Sequence, residues 1–237
     1  MASRPGARPA VRERKWPSRH PVRAIQVDGR SAVAHHLRRP GGGRFGFGEP
    51  SRAEVVAAVR AAEQSESWAE AFVATQVWGY GVTGYGPYRT RQVLAQPGAE
   101  AVLTEAMSLL VDKGAVAAYE ALNTLDGLGP AFLTKFLYFA GLALPEVKGS
   151  RPLILDSVLA GVLRRHATKA GRAVGYEWSE AITKRIWRDS GWSSHRYDVY
   201  LRWMYAANDQ LVAASINWPS APDVLELALF SAAGDPE

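Results

Sequence analysis

The chain has 237 residues, a formal net charge of +5 and 47% hydrophobic residues, a composition typical of folded globular proteins rather than disordered ones. Cysteine is absent, which excludes disulfides, thiolate zinc sites, iron–sulfur clusters and cysteine nucleophiles. No apolar run approaches the roughly 18 residues that span a bilayer, and no apolar segment follows the N-terminal arginines, so we expect a cytoplasmic protein without membrane contact.

Positive charge is concentrated near the N-terminus. Residues 1–52 hold 12 of the 28 Lys and Arg residues and only three acids, whereas residues 53–237 hold 16 bases and 20 acids. Residues 1–22 are also rich in proline and are predicted to form a basic flexible arm, which a Gly-rich segment follows over 23–50. Such an arm is attracted to phosphate backbones of any sequence, or it serves only as a solvated tail.

Helical patterns dominate from residue 51 onward. Ser51 and Glu54 have the spacing of a capping box, which predicts a first helix to about residue 64. The segment 78–91, WGYGVTGYGPYRTR, interleaves glycines with aromatic residues and is predicted to be a loop. Helical spacing predicts the remaining helices at 67–78, 98–112, 114–124, 131–143, 157–169, 178–189, 194–214 and 222–232. The predicted fold class is therefore mainly all-α, a helical domain over 51–237, with a few short strands expected at most in residues 20–48.

A tight turn between two predicted helices has the residues needed to bind phosphate. Gly127 and Gly129, separated by Leu128, permit positive φ and leave backbone N–H groups exposed at the start of the next helix, where Pro130 suits the first turn. Exposed amides at a helix N-terminus form an anion site. The pattern over 115–142 is that of a helix-hairpin-helix, which binds a nucleic-acid backbone without reading its sequence. A plain turn between two core helices would use the same glycines.

Residues 151–160 read RPLILDSVLA, so an extended apolar stretch delivers Asp156 to the start of a helix. Together with GLGPAFLTKFLYF over 127–139, this stretch resembles the helix-hairpin-helix DNA glycosylases, in particular the bacterial 8-oxoguanine DNA glycosylase-like branch. The resemblance is strongest over 115–165. It implies a helical glycosylase fold that binds double-stranded DNA containing a modified base, with the DNA backbone bound at Gly127, Leu128, Gly129 and Ala131.

The resemblance also implies roles for two charged residues. Asp156 matches the catalytic Asp, which stabilises the positive charge that develops on the sugar, although Asp is equally favoured as a helix N-cap. Ala131 stands where relatives that also cleave the backbone have a lysine, which favours a monofunctional enzyme. Lys135, one turn further along the same face, is either a replacement amine whose pKa burial would lower or a structural or phosphate-contacting lysine.

A glycosylase must also move its target base out of the stack, which requires a wedge and a base pocket. The resemblance implies that the wedge lies in 76–89, where the candidates are Gln76, Tyr85, Tyr88 and Arg89. It also implies that a late helix closes the pocket, with Tyr197 and Tyr200 as candidates. Ordinary core packing is the alternative for these aromatic residues, and it is the interpretation favoured for Trp78.

These observations predict a DNA N-glycosylase that leaves an abasic site. The substrate is either an 8-oxoguanine-like damaged base, in DNA repair, or a hypermodified phage base, removed as antiviral defence. The alternatives are a non-catalytic helix-hairpin-helix DNA-binding module and a helical scaffold that binds no nucleic acid. The histidines lack ligand spacing, so we expect no metal; we also expect no cofactor and a monomer.

Overall fold

The computed structural model describes residues 50–81, 84–214 and 217–232. Every regular secondary-structure element within these ranges is a helix. The helices are α1 Arg52–Ser65, α2 Trp68–Tyr80, α3 Gly86–Leu94, α4 Ala99–Asp112, α5 Ala115–Leu122, α6 Pro130–Ala143, α7 Ser157–Ala173, α8 Ser179–Ile186, α9 Ser194–Ala214 and α10 Pro222–Ala232. The predicted all-α class is confirmed for these residues. The basic arm over 1–22, the Gly-rich segment before Pro50 and the expected short strands lie outside the described residues, and the domain division there stays a prediction.

The first two helices begin with different kinds of N-cap. The Ser51 N–H donates to Glu54 Oε2 at 2.7 Å and the Glu54 N–H donates to Ser51 Oγ at 3.3 Å, so the predicted capping box is present at α1. At α2 the cap comes from another helix, because Glu100 of α4 accepts from the Trp68 N–H at 2.7 Å. The N-cap of α1 can therefore be predicted from neighbouring residues, whereas the capping of α2 depends on a residue of another helix.

The prediction of a loop over 78–91 is wrong for most of that segment. Helix α2 continues to Tyr80, and α3 already begins at Gly86. Pro87 lies in the first turn of α3, where its missing N–H leaves no helical hydrogen bond unmade. Helices α2 and α3 are therefore separated by only a short connection. Elsewhere the predicted helices are present, with shifted ends: α7 continues to Ala173, and α8 already ends at Ile186.

Helix α6 is the central helix of the described fold. It is apolar on all sides, with Leu133, Phe136, Leu137 and Phe139 fully buried, a pattern typical of a helix enclosed by others. Helices α1, α2, α4 and α5 pack around it, and α7 packs against α8 and α10, while α9 packs against α5 and α10. Because α6 begins at Pro130, the predicted hairpin leads directly into this central helix. No helix among the described residues is long and apolar enough to cross a bilayer.

Candidate active site

The turn between α5 and α6 has the predicted hairpin form, with one difference. Gly127 has φ of +76°, a conformation that L side chains rarely adopt, so glycine is required there. Gly129 has φ of −69° and ψ of 153° and is the N-cap of α6, so only Gly127 uses the positive φ that both glycines permit. Gln96 holds the turn from outside: its side-chain amide donates to Asp126 O at 2.8 Å and accepts from Asp126 N at 2.9 Å.

The N-terminus of α6 presents unpaired backbone donors. Gly129 provides no side-chain cap, and among the described residues no hydrogen bond is donated by the N–H groups of Gly129 or Ala131. A Cβ added at Gly129 would meet no atom within 4 Å. The backbone at this point is therefore open to a group approaching from outside, such as a phosphate oxygen.

A groove of about 310 Å³ runs along the hairpin. One wall consists of residues 127–132, and the guanidinium-bearing Arg89 comes from α3. The opposite side is formed by Asp189, Ser190 and Trp192, where the Trp192 carbonyl accepts a hydrogen bond from the Tyr119 hydroxyl at 2.8 Å. Donors from the hairpin and a cation from α3 therefore line the same concave surface.

The predicted wedge residues of α3 and its N-cap lie on the surface beside this groove. Tyr85 is 65% exposed and Tyr88 is 57% exposed, and their ring centroids are 5.8 Å apart. The Arg89 guanidinium lies 5.8 Å from the centroid of the Tyr85 ring. Two exposed aromatic rings and a cation thus form one cluster next to the hairpin.

The stretch that leads to Asp156 is extended and buried but pairs with no strand in the part of the chain that the structure describes. Leu153, Ile154 and Leu155 are each at most 3% exposed, so their backbone polar groups need partners from the protein. Side chains of α9 supply two of them: the Tyr197 hydroxyl donates to Leu153 O at 2.9 Å and the Tyr200 hydroxyl donates to Ile154 O at 2.5 Å.

Two other helices supply the remaining partners of this stretch. Glu226 of α10 accepts from the Ile154 N–H at 2.7 Å, and Thr134 of α6 accepts from the Leu155 N–H at 3.1 Å. The Thr134 hydroxyl also lies 3.3 Å from both Leu155 O and Ala131 O. Thr134 therefore connects the stretch before Asp156 to the first turn of α6, the same turn that presents the hairpin amides.

Asp156 is the N-cap of α7, as its sequence context indicates. Its Oδ1 accepts from the Leu159 N–H at 3.0 Å, and the side chain is half-buried. Its second oxygen, Oδ2, has no hydrogen-bond partner among the described residues. The cap therefore fixes the carboxylate through one oxygen and leaves the other available, so the structural and the chemical interpretation of Asp156 are compatible.

Lys135 is half-buried on α6 near this carboxylate. Burial lowers the pKa of its amine, while the nearby charges of Asp156 and Glu226 act in the opposite direction. Its Nζ lies 5.0 Å from the centroid of the Phe132 ring. Gly79 of α2 makes room for this side chain, because an added Cβ would come within 3.1 Å of Lys135 Cδ. No direct ion pair joins Lys135 to Asp156 among the described residues, so the amine is influenced by the carboxylate without being held by it.

One family model matches the chain over residues 8–230, and the family is described as "Putative 8-oxoguanine DNA glycosylase OGG-like protein". The match covers most of the 237 residues. The chain belongs to this family. The resemblance to the 8-oxoguanine DNA glycosylase-like branch, which the sequence analysis stated, is confirmed by this match. Comparisons with curated proteins and with solved structures gave no match.

Within this OGG-like chain, the two late-helix tyrosines have a different location from the one predicted. Tyr197 and Tyr200 are fully buried, so neither ring lies on an open pocket wall. Their rings stack in the core, with centroids 6.2 Å apart, and their hydroxyls bond the stretch that ends at Asp156. The prediction that they line the base pocket is therefore corrected: they support the chain segment that carries the candidate catalytic residue.

Gln76, also predicted near the base, lies on the face of α2 that packs on α6. It is only 2% exposed, and its Nε2 has no hydrogen-bond partner among the described residues. Phe72, one turn before it, contacts Phe136, and Gly79, one turn after it, contacts Lys135. The unsatisfied amide donor therefore lies on the face of α2 that packs on α6.

Sequence reasoning missed Glu226, Thr134 and Gln96. None of them has a local signal, because each acts on residues between 21 and 72 positions away. An acid within the apolar run 224–230 of α10 is the hint that the sequence offers for Glu226. No group of three or more His, Cys, Asp or Glu side chains suited to a metal ion occurs in the described part of the chain.

Proposed function

We propose that this member of a DNA glycosylase family hydrolyses the N-glycosidic bond of a modified base in double-stranded DNA and leaves an abasic site. One observation carries the proposal. Asp156 ends a buried segment whose backbone is hydrogen-bonded by side chains of three helices, has a free carboxylate oxygen, and lies near the half-buried Lys135 on the helix that starts at the hairpin. Glycosidic cleavage develops positive charge on the sugar, and a fixed carboxylate with a free oxygen can stabilise that charge.

The hairpin binds the DNA backbone in this proposal. The free N–H groups of Gly129 and Ala131 contact one phosphate, and Leu128 and Gly127 shape the turn around it. Arg89 adds a positive charge to the same groove. Because such contacts release counterions, DNA affinity is expected to fall steeply as the salt concentration rises. A helical scaffold that binds no nucleic acid would show no such dependence.

Asp156 carries out the chemical step in this proposal. When the base leaves, positive charge develops on the deoxyribose, and the free Oδ2 of Asp156 stabilises it. The same oxygen orients the water that attacks the sugar carbon. Because Oδ1 is bonded to the Leu159 N–H, the carboxylate is already in place before the reaction and needs no reorganisation.

Base extrusion is assigned to three exposed residues of α3 and its N-cap. The exposed rings of Tyr85 and Tyr88 fill the gap in the stack, and Arg89 pairs with the opposite base or a phosphate. The family description supports an 8-oxoguanine-like purine, and we propose this substrate class for the extruded base.

A substrate panel tests this function. Duplexes that contain 8-oxoguanine, uracil, an alkylated base or glucosylated hydroxymethylcytosine are incubated with the protein, and abasic sites are detected by cleavage in alkali. We expect release of 8-oxoguanine. Release of the glucosylated base alone would instead indicate antiviral defence. If DNA is bound with a steep salt dependence but no base is released, the protein is a non-catalytic binding module.

Strand cleavage at the abasic site is a second candidate activity, and one observation favours it. Burial lowers the pKa of Lys135, which increases the fraction of neutral amine able to attack the C1′ aldehyde of the abasic sugar. Loss of water gives a Schiff base, and β-elimination then breaks the bond between the sugar and its 3′ phosphate, which leaves with the downstream strand. Borohydride should then trap a covalent protein–DNA adduct with the wild type and not with Lys135→Gln. The exposed Lys113 gives a matched control, Lys113→Gln, which should trap like the wild type. Excision without any trapped adduct would make the enzyme monofunctional, as Ala131 indicates.

A further inference from the structure

The segment before Asp156 depends on side chains for its shape. Residues 153–155 lie in the interior without a neighbouring strand, and their hydrogen bonds go to α6, α9 and α10. Among the partners, Glu226 alone is a carboxyl group. It is 5% exposed, and its Oε2 lies 2.7 Å from the Ile154 nitrogen.

We propose that Glu226 is a positioning residue for Asp156, which acts by accepting the Ile154 N–H and holding the extended segment against the core. The proposal rests on the proposed function, because it assumes that Asp156 performs the chemistry. Ile154 is two residues before Asp156, and in an extended chain such residues face the same side, so a displacement at Ile154 is transmitted directly to the carboxylate.

Glu226 is the one acceptor that the described residues provide for the Ile154 N–H. Without Glu226 the Ile154 N–H would be buried and unpaired, and the desolvation penalty of an unpaired donor favours a shift of the segment toward water. A shift of about 1 Å at a catalytic group lowers a reaction rate by about 10²-fold. The Asp156 carboxylate is therefore expected to lose its alignment although its own cap to Leu159 remains.

The charged groups around Glu226 come from four helices or their caps. Arg52 of α1 and Asp223 of α10 are bridged by the Tyr138 hydroxyl, at 2.7 Å and 3.2 Å, while Lys135 and Asp156 lie on the other side of the network. Burial raises the pKa of Glu226 to about 8. Near neutral pH the carboxyl is therefore mostly uncharged, and glutamine is a close mimic that still offers an oxygen to the Ile154 N–H.

Three variants of the full chain test the assignment. Glu226→Leu removes the acceptor, and Glu226→Gln restores it. Asn208→Leu is the matched control, because Asn208 is equally buried and bonds Ser220 O and Trp218 Nε1, which lie outside the 151–156 segment. Single-turnover excision rates at saturating DNA, dissociation constants for the same duplex and circular dichroism are measured for each variant.

We expect Glu226→Leu to lower the single-turnover rate by about 10²-fold, with DNA affinity unchanged within about three-fold. Glu226→Gln should recover to within about ten-fold of the wild type, and Asn208→Leu should excise at nearly the wild-type rate. A folded Glu226→Leu protein with the wild-type rate would overturn the proposal. A Glu226→Gln protein as slow as Glu226→Leu would also overturn it, because the hydrogen-bond acceptor would then not be the decisive feature.

Hydrogen exchange of the Ile154 amide separates this proposal from the proposed function. Exchange should be slow in the wild type and in Glu226→Gln and fast in Glu226→Leu, whether or not any base is released. If no duplex yields an abasic site while Ile154 exchange responds as expected, the proposed function fails. The hydrogen bond by which Glu226 holds the segment is then still supported. If bases are released but Ile154 exchange and rate are the same in all variants, the function stands and the positioning role fails.

Discussion

The hairpin over 125–130 and the segment over 151–156 hold their backbones in opposite ways. The hairpin is partly exposed, leaves the N–H groups of Gly129 and Ala131 unpaired, and is shaped by glycine conformation. The segment is buried, and side chains from three helices bond four of its backbone groups. The first region offers its backbone to a partner, whereas the second uses its backbone as a rigid support for one side chain.

The difference indicates how binding and chemistry are divided in this fold. A surface that binds phosphate through amides needs little beyond small residues and an open approach. A carboxylate that must be aligned with a sugar needs surroundings that restrict its movement. Substitutions in the hairpin should therefore affect affinity, and substitutions around the segment should affect stability and the rate of the chemical step.

The largest expected effect is on the free energy of unfolding, which Glu226 should make dependent on pH. Its pKa is raised from 4.5 to about 8 on folding, so its stabilising contribution is complete below about pH 4.5 and is lost as the pH rises to about 8. The free energy of unfolding of the wild type should fall across this window by at most about 5 kcal/mol. Urea denaturation at several pH values measures it, and Glu226→Gln should flatten the slope. An equal slope in both proteins would contradict the account.

A smaller effect is expected from the tyrosine hydroxyls. Tyr200→Phe leaves Ile154 O unpaired in the core and should lower the free energy of unfolding by about 1–3 kcal/mol. Tyr119→Phe is the matched control, because this equally buried hydroxyl bonds Trp192 O instead. Denaturation should give similar losses for both variants, while the single-turnover excision rate should fall for Tyr200→Phe alone. A comparable rate loss in both would show that general destabilisation slows the reaction.

The smallest effects on stability should distinguish the two hairpin glycines. Gly127→Ala forces an L side chain to a φ of +76° and should lower the free energy of unfolding by about 1 kcal/mol. Gly129→Ala needs no positive φ and meets no neighbouring atom, so denaturation should detect almost no change. The added methyl group at position 129 should nevertheless weaken DNA binding, as measured by fluorescence anisotropy. Unchanged affinity for Gly129→Ala would argue against phosphate contact at this amide.

The sequence predicted those features that depend on neighbouring residues. The capping box at Ser51, the hairpin around Gly127 and the Asp156 cap each depend on residues within four positions of one another. The helix α3 was missed because a run of glycines and aromatic residues resembles a loop until the packing around it is known.

The partners of the 153–155 segment could not be predicted in the same way. The residue pairs that hold it are 21 to 72 positions apart, and the hydroxyls of Tyr197 and Tyr200 look like ordinary core residues until the segment lies beside them. Aromatic spacing along α9 indicated burial correctly but could not indicate what the hydroxyls bond.

The most direct test of the account is the single-turnover excision rate of Asp156→Asn, measured together with its dissociation constant for the same modified duplex. Asparagine keeps an oxygen for the Leu159 N–H, so the cap should persist and the fold should remain intact. We predict a rate at least about 10³-fold below that of the wild type, with affinity unchanged within a few-fold. A wild-type excision rate in the folded variant would contradict the assignment of the chemical step to Asp156.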